Sequence, residues 1–179
     1  MKKVLYILGE LDDDDIDWLL EIGGRRTIPA GTVLIDEGRA IDALYILLEG
    51  ELSVSTAAIG DHEIACLSSG EVVGEMSFVD TRPPSATVTA KSNALVLAIP
   101  RNQLALKLRQ DVGFASRFYR ALAMFLSNRL RMTVNQLGYG AEAGGTADLP
   151  ENELGQEAKD SVALAQTRLD WLMRRLREG

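Results

Sequence analysis

Glu75 is the residue best placed to do chemistry in this 179-residue chain. It follows Gly74 in the stretch VVGEMSFVDTRPPSATV (72–88), where a loop of small residues joins two apolar, strand-like runs. Glycine at a tight turn lets backbone N–H groups come close to a bound molecule. A lone carboxylate beside it can accept hydrogen bonds from a hydroxylated ligand such as a sugar. At the far end of the loop, Ser85, Ala86 and Thr87 offer hydroxyls and further N–H donors. These are the parts of a ligand cradle, and they contain no nucleophile-and-base pair.

The flanking elements must hold that loop open. From Arg26 to Pro100, short aliphatic and β-branched runs alternate with turn residues: TVLIDEG, ALYILLEG, ELSVSTA, EIACLSSG, EVVGE, SATVTA and ALVLAIP. This spacing predicts an all-β sandwich or roll, with hairpin turns at Glu49-Gly50-Glu51 and over residues 59–62. Asp12–Asp15 precede apolar residues at helical spacing and Gly23-Gly24 follow them, which predicts a short capped helix. The acidic run lacks the alternating ligands and terminal Glu of a calcium loop. After Pro100 the period changes, and Arg101–Leu137 reads as a helix with a break near Asp111–Gly113. Tyr119, Ala123, Leu126, Leu130, Thr133 and Leu137 are spaced 4, 3, 4, 3, 4, the pattern of a seam against a partner helix. Phe114, Phe118, Phe125 and Met132 form a second stripe that suits packing on the roll. Residues 138–150 read as a Gly/Ala-rich linker and 151–179 as one more helix, with Ala158, Val162, Ala165, Leu169, Leu172 and Leu176 in heptad register.

On Gly74-Glu75-Met76-Ser77-Phe78 and Ser85-Ala86-Thr87-Val88, the chain resembles the cyclic-nucleotide-binding domain of the catabolite activator family, protein-kinase regulatory subunits and cyclic-nucleotide-gated channels. The frame Pro29-Ala30-Gly31, Glu37-Gly38, Leu44-Tyr45-Ile46, Glu49-Gly50 is also similar, so the resemblance covers about residues 25–100 and runs into the next helix. It implies a mainly β fold with flanking helices: a β-roll of the double-stranded β-helix or jelly-roll type, a long C-terminal dimerisation helix and one additional helix. It implies a cyclic mononucleotide ligand, cyclic AMP or cyclic GMP, and no cofactor. Gly74, Glu75, Met76, Ser77, Arg82, Pro84, Ser85, Ala86 and Thr87 would line the site, with Glu75 on the ribose 2′-hydroxyl and Thr133 adding a hydroxyl from the helix. Thr133 reads equally well as a tolerated seam residue.

One departure has chemical weight. Where the resembled family carries the arginine that neutralises the cyclic phosphate, this chain has Pro84, which supplies neither charge nor an N–H. Losing a bidentate contact of that kind costs ~2–4 kcal/mol, a factor of roughly 30 to 1,000 in affinity. Arg82 is the nearest replacement, across the stiff Pro83-Pro84 step. Two functions therefore stand side by side: a cyclic-nucleotide-type sensor signalling through dimer or partner contacts, and a degenerate fold kept as a ligand-independent dimerisation or docking module.

The remaining features point away from other classes. The net charge of −7 removes the usual electrostatic case for nucleic acid. Residues 151–179 hold five Lys+Arg against six Asp+Glu, so no DNA-reading helix-turn-helix output and no DNA binding are expected. Arg174, Arg175 and Arg177 fit a helix C-terminus better than a phosphate patch. Cys66 is the single cysteine, read as a small core residue in a reduced cytoplasmic setting. His62 is the single histidine and reads as a solvated turn residue. No metal-spaced cluster and no catalytic motif occurs, so no enzyme is expected. No apolar run reaches the ~20 residues of a membrane span. The expected partners are a second copy through 119–137 and a protein partner at the C-terminal helix.

Overall fold

The eight strands described in the computed structural model divide between two four-stranded antiparallel sheets, and the residues described are 4–60, 62–80, 82–138 and 156–178. Strands β1 (Gly24–Ile28), β8 (Ala94–Pro100), β3 (Ala43–Glu49) and β6 (Val72–Val73) form one sheet in that order. Strands β2 (Val33–Ile35), β7 (Thr87–Ala90), β4 (Glu51–Ser55) and β5 (Glu63–Ser68) form the other. Sequentially distant strands pair, β1 with β8 and β2 with β7, around the inner pairs β3–β6 and β4–β5. That nesting is a jelly roll.

The run ALYILLE of β3 is apolar at every position but the last because its sheet is covered on both faces. Leu44, Ile46 and Leu48 point into a core shared with the helices, while Ala43, Tyr45 and Leu47 point into the roll. Strand β8 divides the same way, Leu97 and Ile99 against Val96 and Ala98. Strand β4 has only one covered face, and its Leu52 and Val54 alternate with polar neighbours.

The expected hairpin at Glu49-Gly50-Glu51 is instead a corner between the sheets, since β3 pairs with β6 and β8 and β4 with β5 and β7. Gly50 has φ 91°, and a Cβ there would lie 2.6 Å from the Asn93 carbonyl oxygen, so the corner excludes any side chain. The β4–β5 connection is the hairpin, closed by a single helical turn over Ala57–Ile59 and Gly60. Cys66 also departs from expectation. It lies on the outer face of β5 opposite Ser53 and is exposed, because the roll interior takes its neighbours of opposite parity.

Five helices are described. α1 (Val4–Glu10) was not anticipated from its sequence; its Ile7 and Leu8, with Leu11 just beyond it, are buried. α2 (Asp13–Ile22) begins with a capping box: Asp12 accepts from the Asp15 N–H at 2.9 Å and Asp15 from the Asp12 N–H at 3.1 Å. The acidic run is thus a cap, as its spacing suggested. Asp15 is only 3% exposed. Its carboxylate is gripped by Arg117 at 2.6 and 2.9 Å, which ties α2 to the long helix. Burial pushes the Asp15 carboxyl up, but the Arg117 and backbone hydrogen bonds outweigh it and hold it below the usual range.

α3 (Arg101–Gln110) and α4 (Val112–Gly138) are separated at Asp111, whose extended backbone ends α3 and whose carboxylate caps α4 through the Phe114 N–H at 2.9 Å. The break therefore falls where expected. The stripe Phe114, Phe118, Phe125 is fully buried with Ala121 and Leu122, while Tyr119 and Leu130 of the seam stay exposed. The side chains of Met132, Thr133 and Leu137 lie outside the described residues, as does the segment 139–155 that contains most of the expected linker.

α5 (Gln156–Glu178) lies against α1. Ala165, Leu169 and Leu172 of its heptad stripe are buried with Ile7, Leu8 and Leu11. Arg168 donates to the carbonyls of Leu8 (2.7 Å) and Leu11 (2.6 Å) and to Asp13, satisfying acceptors at the end of α1. These three positions of the stripe are thus covered within the chain. Arg175 at its end stacks over Trp171 and pairs loosely with Asp17 at 3.5 Å.

Candidate functional site

Strand β6 ends at Val73, and Gly74 turns the chain with φ 87° into a helical turn over Glu75–Phe78. The turn is tight because Gly74 backs onto β2 and β3. A Cβ there would meet Ile41 Cδ1 at 2.8 Å and the Ala43 carbonyl oxygen at 3.2 Å. This close approach aims Glu75 inward. Its carboxylate is 3% exposed and borders a cavity of about 200 Å³.

The cavity has an apolar side and a polar side. Ile35, Ile41, Val54, Leu67, Val73 and Val88 come from the roll. Gly74, Glu75, Met76 and Ser77 line it from the helical turn, and Arg82, Pro84, Ser85 and Ala86 from the loop that returns to β7. Eight of the nine loop residues anticipated from the sequence are thus brought to one cavity. Thr87 is not among its lining, and its hydroxyl takes the Glu37 N–H at 3.2 Å. Thr87 fastens the strand rather than facing the cavity. The side chain of Thr133 lies outside the described residues.

Two of the lining residues are fasteners as well. Ser77 donates to the Gly74 carbonyl at 2.8 Å and accepts from Arg101 at 2.5 Å, which uses both functions of its hydroxyl. Arg101 also donates to the Ser77 carbonyl at 2.9 Å and lies over the Phe78 ring at 4.9 Å. The Pro84 carbonyl accepts from Gly38 N–H at 2.9 Å, fixing the return loop against the β2–β3 connection. Pro83 and Pro84 can donate nothing, so the first N–H groups on this side belong to Ser85 and Ala86. Among the described residues no acceptor takes either one.

The cation of the cavity comes from a place the loop sequence does not show. Arg129 of α4 lines it, and its guanidinium meets Glu75 at 3.1 Å. Both residues make further contacts. A buried carboxylate is costly without such a partner. The ion pair therefore fastens the long helix to the cradle and closes the cavity on that side. Arg82, by contrast, is 86% exposed and 3.9 Å from Asp80, so it stands at the rim rather than inside. The geometry can receive hydroxyls at Glu75, an apolar ring against the roll, and one anion at the Ser85–Ala86 amides. It holds no nucleophile beside a base, and no cluster of metal ligands exists among the described residues. Nor is any helix among them long and apolar enough to cross a membrane.

Comparison with known proteins agrees with this geometry. The family profile described as "Cyclic nucleotide-binding domain" matches residues 25–111. The "Cyclic AMP receptor protein" of Thermus thermophilus is 30% identical over 172 residues, which is 94% of this chain and 68% of that protein. A cAMP-dependent protein kinase regulatory subunit of Yarrowia lipolytica is 30% identical over 100 residues, covering 56% of this chain but only 26% of the subunit. Among solved structures, a cyclic nucleotide-binding domain from Methylobacillus flagellatus superposes with a TM-score of 0.68 at 21% identity, over 79% of this chain and 84% of that one. Cradle, jelly roll and sequence kinship coincide: the chain belongs to the cyclic nucleotide-binding domain family.

Proposed function

We propose that this chain is a regulatory module that binds a cyclic mononucleotide, with Glu75 receiving the ribose hydroxyl and the Ser85 and Ala86 amides receiving the phosphate. The observation that carries this reading is the Glu75 carboxylate, buried at the cavity wall and paired across it with Arg129 of α4. A ligand that brings a hydroxyl to Glu75 and a negative charge to the same cavity changes what Arg129 is attracted to. It thereby changes how α4 sits on the roll. The output is a rearranged α4, delivered to a second copy through its exposed Tyr119 and Leu130 or to another protein. Because Pro84 contributes no charge, affinity is lower than an arginine at that position would give.

A second reading is supported by the same pair. Glu75 is already neutralised by Arg129, and no buried side-chain polar atom among the described residues lacks a hydrogen bond, so the fold is complete without ligand. In that case the chain serves as a docking or dimerisation module through α4. Calorimetric titration of nucleotide-stripped protein with cyclic AMP and with cyclic GMP separates the two. Saturable binding that weakens at least tenfold in Glu75→Gln supports the sensor. Absence of heat with either nucleotide, from protein shown to be folded, leaves the docking module.

A further inference from the structure

A second cavity, of about 300 Å³, adjoins the first at the Pro83-Pro84 step. Gly38, Ala40 and Ile41 line it from the β2–β3 connection, and Ser77, Arg82 and Arg101 from the other side. Its polar character differs from that of the inner cavity. Glu75, Asp80 and Arg129 line the inner one only, whereas both side chains that bring charge to the outer one are arginines.

Arg101 is the unexplained group. It is half-buried, yet its partners are the hydroxyl and carbonyl of Ser77 and the face of Phe78, all neutral. Among the described residues no carboxylate lies within ion-pair distance of it. Half-buried guanidinium groups ordinarily face an anion, because desolvating an uncompensated charge is unfavourable. Arg82 is barely better matched, with its nearest carboxylate 3.9 Å away. The carboxylate of Asp36, two residues before Gly38 in the chain, is already taken by Arg39 at 3.0 Å. Two under-neutralised forks on one cavity are the recognition chemistry of a phosphate group.

We propose that this outer cavity is an anion subsite that takes a phosphate group between Arg82 and Arg101. The subsite adjoins the nucleotide cradle: Ile41, Ser77, Arg82 and Pro83-Pro84 line both, whereas Gly38, Ala40 and Arg101 line the outer cavity only. Occupancy would therefore stiffen the wall that the cradle shares with it. The phosphate can be free or carried by a larger molecule, and the outer cavity is open to either.

The test uses the whole chain at fixed ionic strength. Inorganic phosphate is titrated while the amide resonances of Ser77, Phe78 and Arg82 are followed by NMR, with chloride as the control anion. Saturable shifts at these amides are expected, with affinity at least fivefold weaker in Arg82→Ala. Arg82 is exposed, so that variant retains the fold. Arg39→Ala is the charge-matched control, expected to leave the affinity within twofold. Arg129→Gln is expected to leave phosphate binding in place, and the amides of Ser85 and Ala86, which line the inner cavity only, are expected to stay unshifted, which separates this subsite from the cradle whether or not a cyclic nucleotide binds there. Adenosine 5′-monophosphate as a second titrant identifies the source: affinity equal to phosphate indicates free phosphate, and tighter affinity that still depends on Arg82 indicates an esterified one. Shifts that persist in Arg82→Ala, that vanish in Arg129→Gln, or that chloride reproduces would overturn the proposal.

Discussion

Replacing Pro84 by arginine should convert the cradle into a tighter receptor for cyclic AMP. The native carbonyl bond from Gly38 to Pro84, 2.9 Å long, needs no proline ring and survives the change. The backbone gains an N–H beside the free donors of Ser85 and Ala86, and the side chain gains a guanidinium bordering the cavity. A hydrogen bond to a charged partner contributes about 1.5–3 kcal/mol. Against this, Asp80 lines the same cavity and would hold the new guanidinium in the ligand-free state. A half-exposed pair of that kind is worth about 0.2–1 kcal/mol. The net gain is about 0.5–2.8 kcal/mol, and the middle of that range is roughly a tenfold increase in affinity. Calorimetry of wild type and Pro84→Arg, each stripped of nucleotide, measures it directly. Adding Glu75→Gln should offset much of the gain in affinity, because the ribose then loses its charged acceptor although the new phosphate contact remains. A Pro84→Arg protein with an unchanged unfolding midpoint and unchanged affinity would refute the reasoning, since the missing cation would not be what limits binding.

Other consequences are open to simpler measurements. Gly74→Ala should destabilise the fold by about 1–3 kcal/mol in urea unfolding, because φ 87° and the 2.8 Å approach of Ile41 leave no room for a methyl group. Asp15→Asn should cost about 1–3 kcal/mol at neutral pH by weakening the grip of Arg117. The Asp15 carboxyl is held below its usual value in the fold, so its stabilisation is present above about pH 4 and disappears as the pH falls below that. The variant should accordingly lose less stability on acidification than wild type. Burial, and then the Asp42 carboxylate at 2.5 Å, push the Tyr45 hydroxyl up to about 12. Ultraviolet titration should show a late-ionising tyrosine signal that is lost in Tyr45→Phe. Its contribution to stability, full below about pH 10, should fade as the pH rises toward 12. Finally, the double change Leu126→Asp/Leu130→Asp should abolish self-association in sedimentation experiments; a wild type that is monomeric at tens of micromolar would remove the proposed α4 interface.

The parts of this molecule that were legible in the sequence are those set by local rules. Asp12 to Asp15 announce a capped helix because capping involves only neighbours along the chain. The unbroken apolar run of β3 and the alternation in β4 mark strands, and Gly74-Glu75 marks the cradle, because turn chemistry and side-chain period are also local. What could not be read depends on where distant elements meet. Arg129 is one of several arginines on α4, and only the rotation fixed by Phe118, Leu122 and Phe125 aims it at Glu75. Glu49-Gly50-Glu51 has hairpin residues, but whether a turn joins partners or crosses between sheets is decided by strand pairing far away. Cys66 sits in an apolar run of a strand with one open face, and parity alone does not say which face. Ser77 belongs to the cradle by position, yet Arg101, 24 residues later, claims its hydroxyl.

The docking of α5 on α1 makes the last helix a tethered ligand of its own chain. Three buried side chains and the Arg168 fork form the contact, and because both partners belong to one chain it does not weaken on dilution. The contact therefore depends on Ala165, Leu169 and Arg168 themselves rather than on protein concentration. Loosening of α5 would uncover the apolar side chains of Ile7, Leu8 and Leu11, so the same contact that completes the fold also keeps that surface away from solvent.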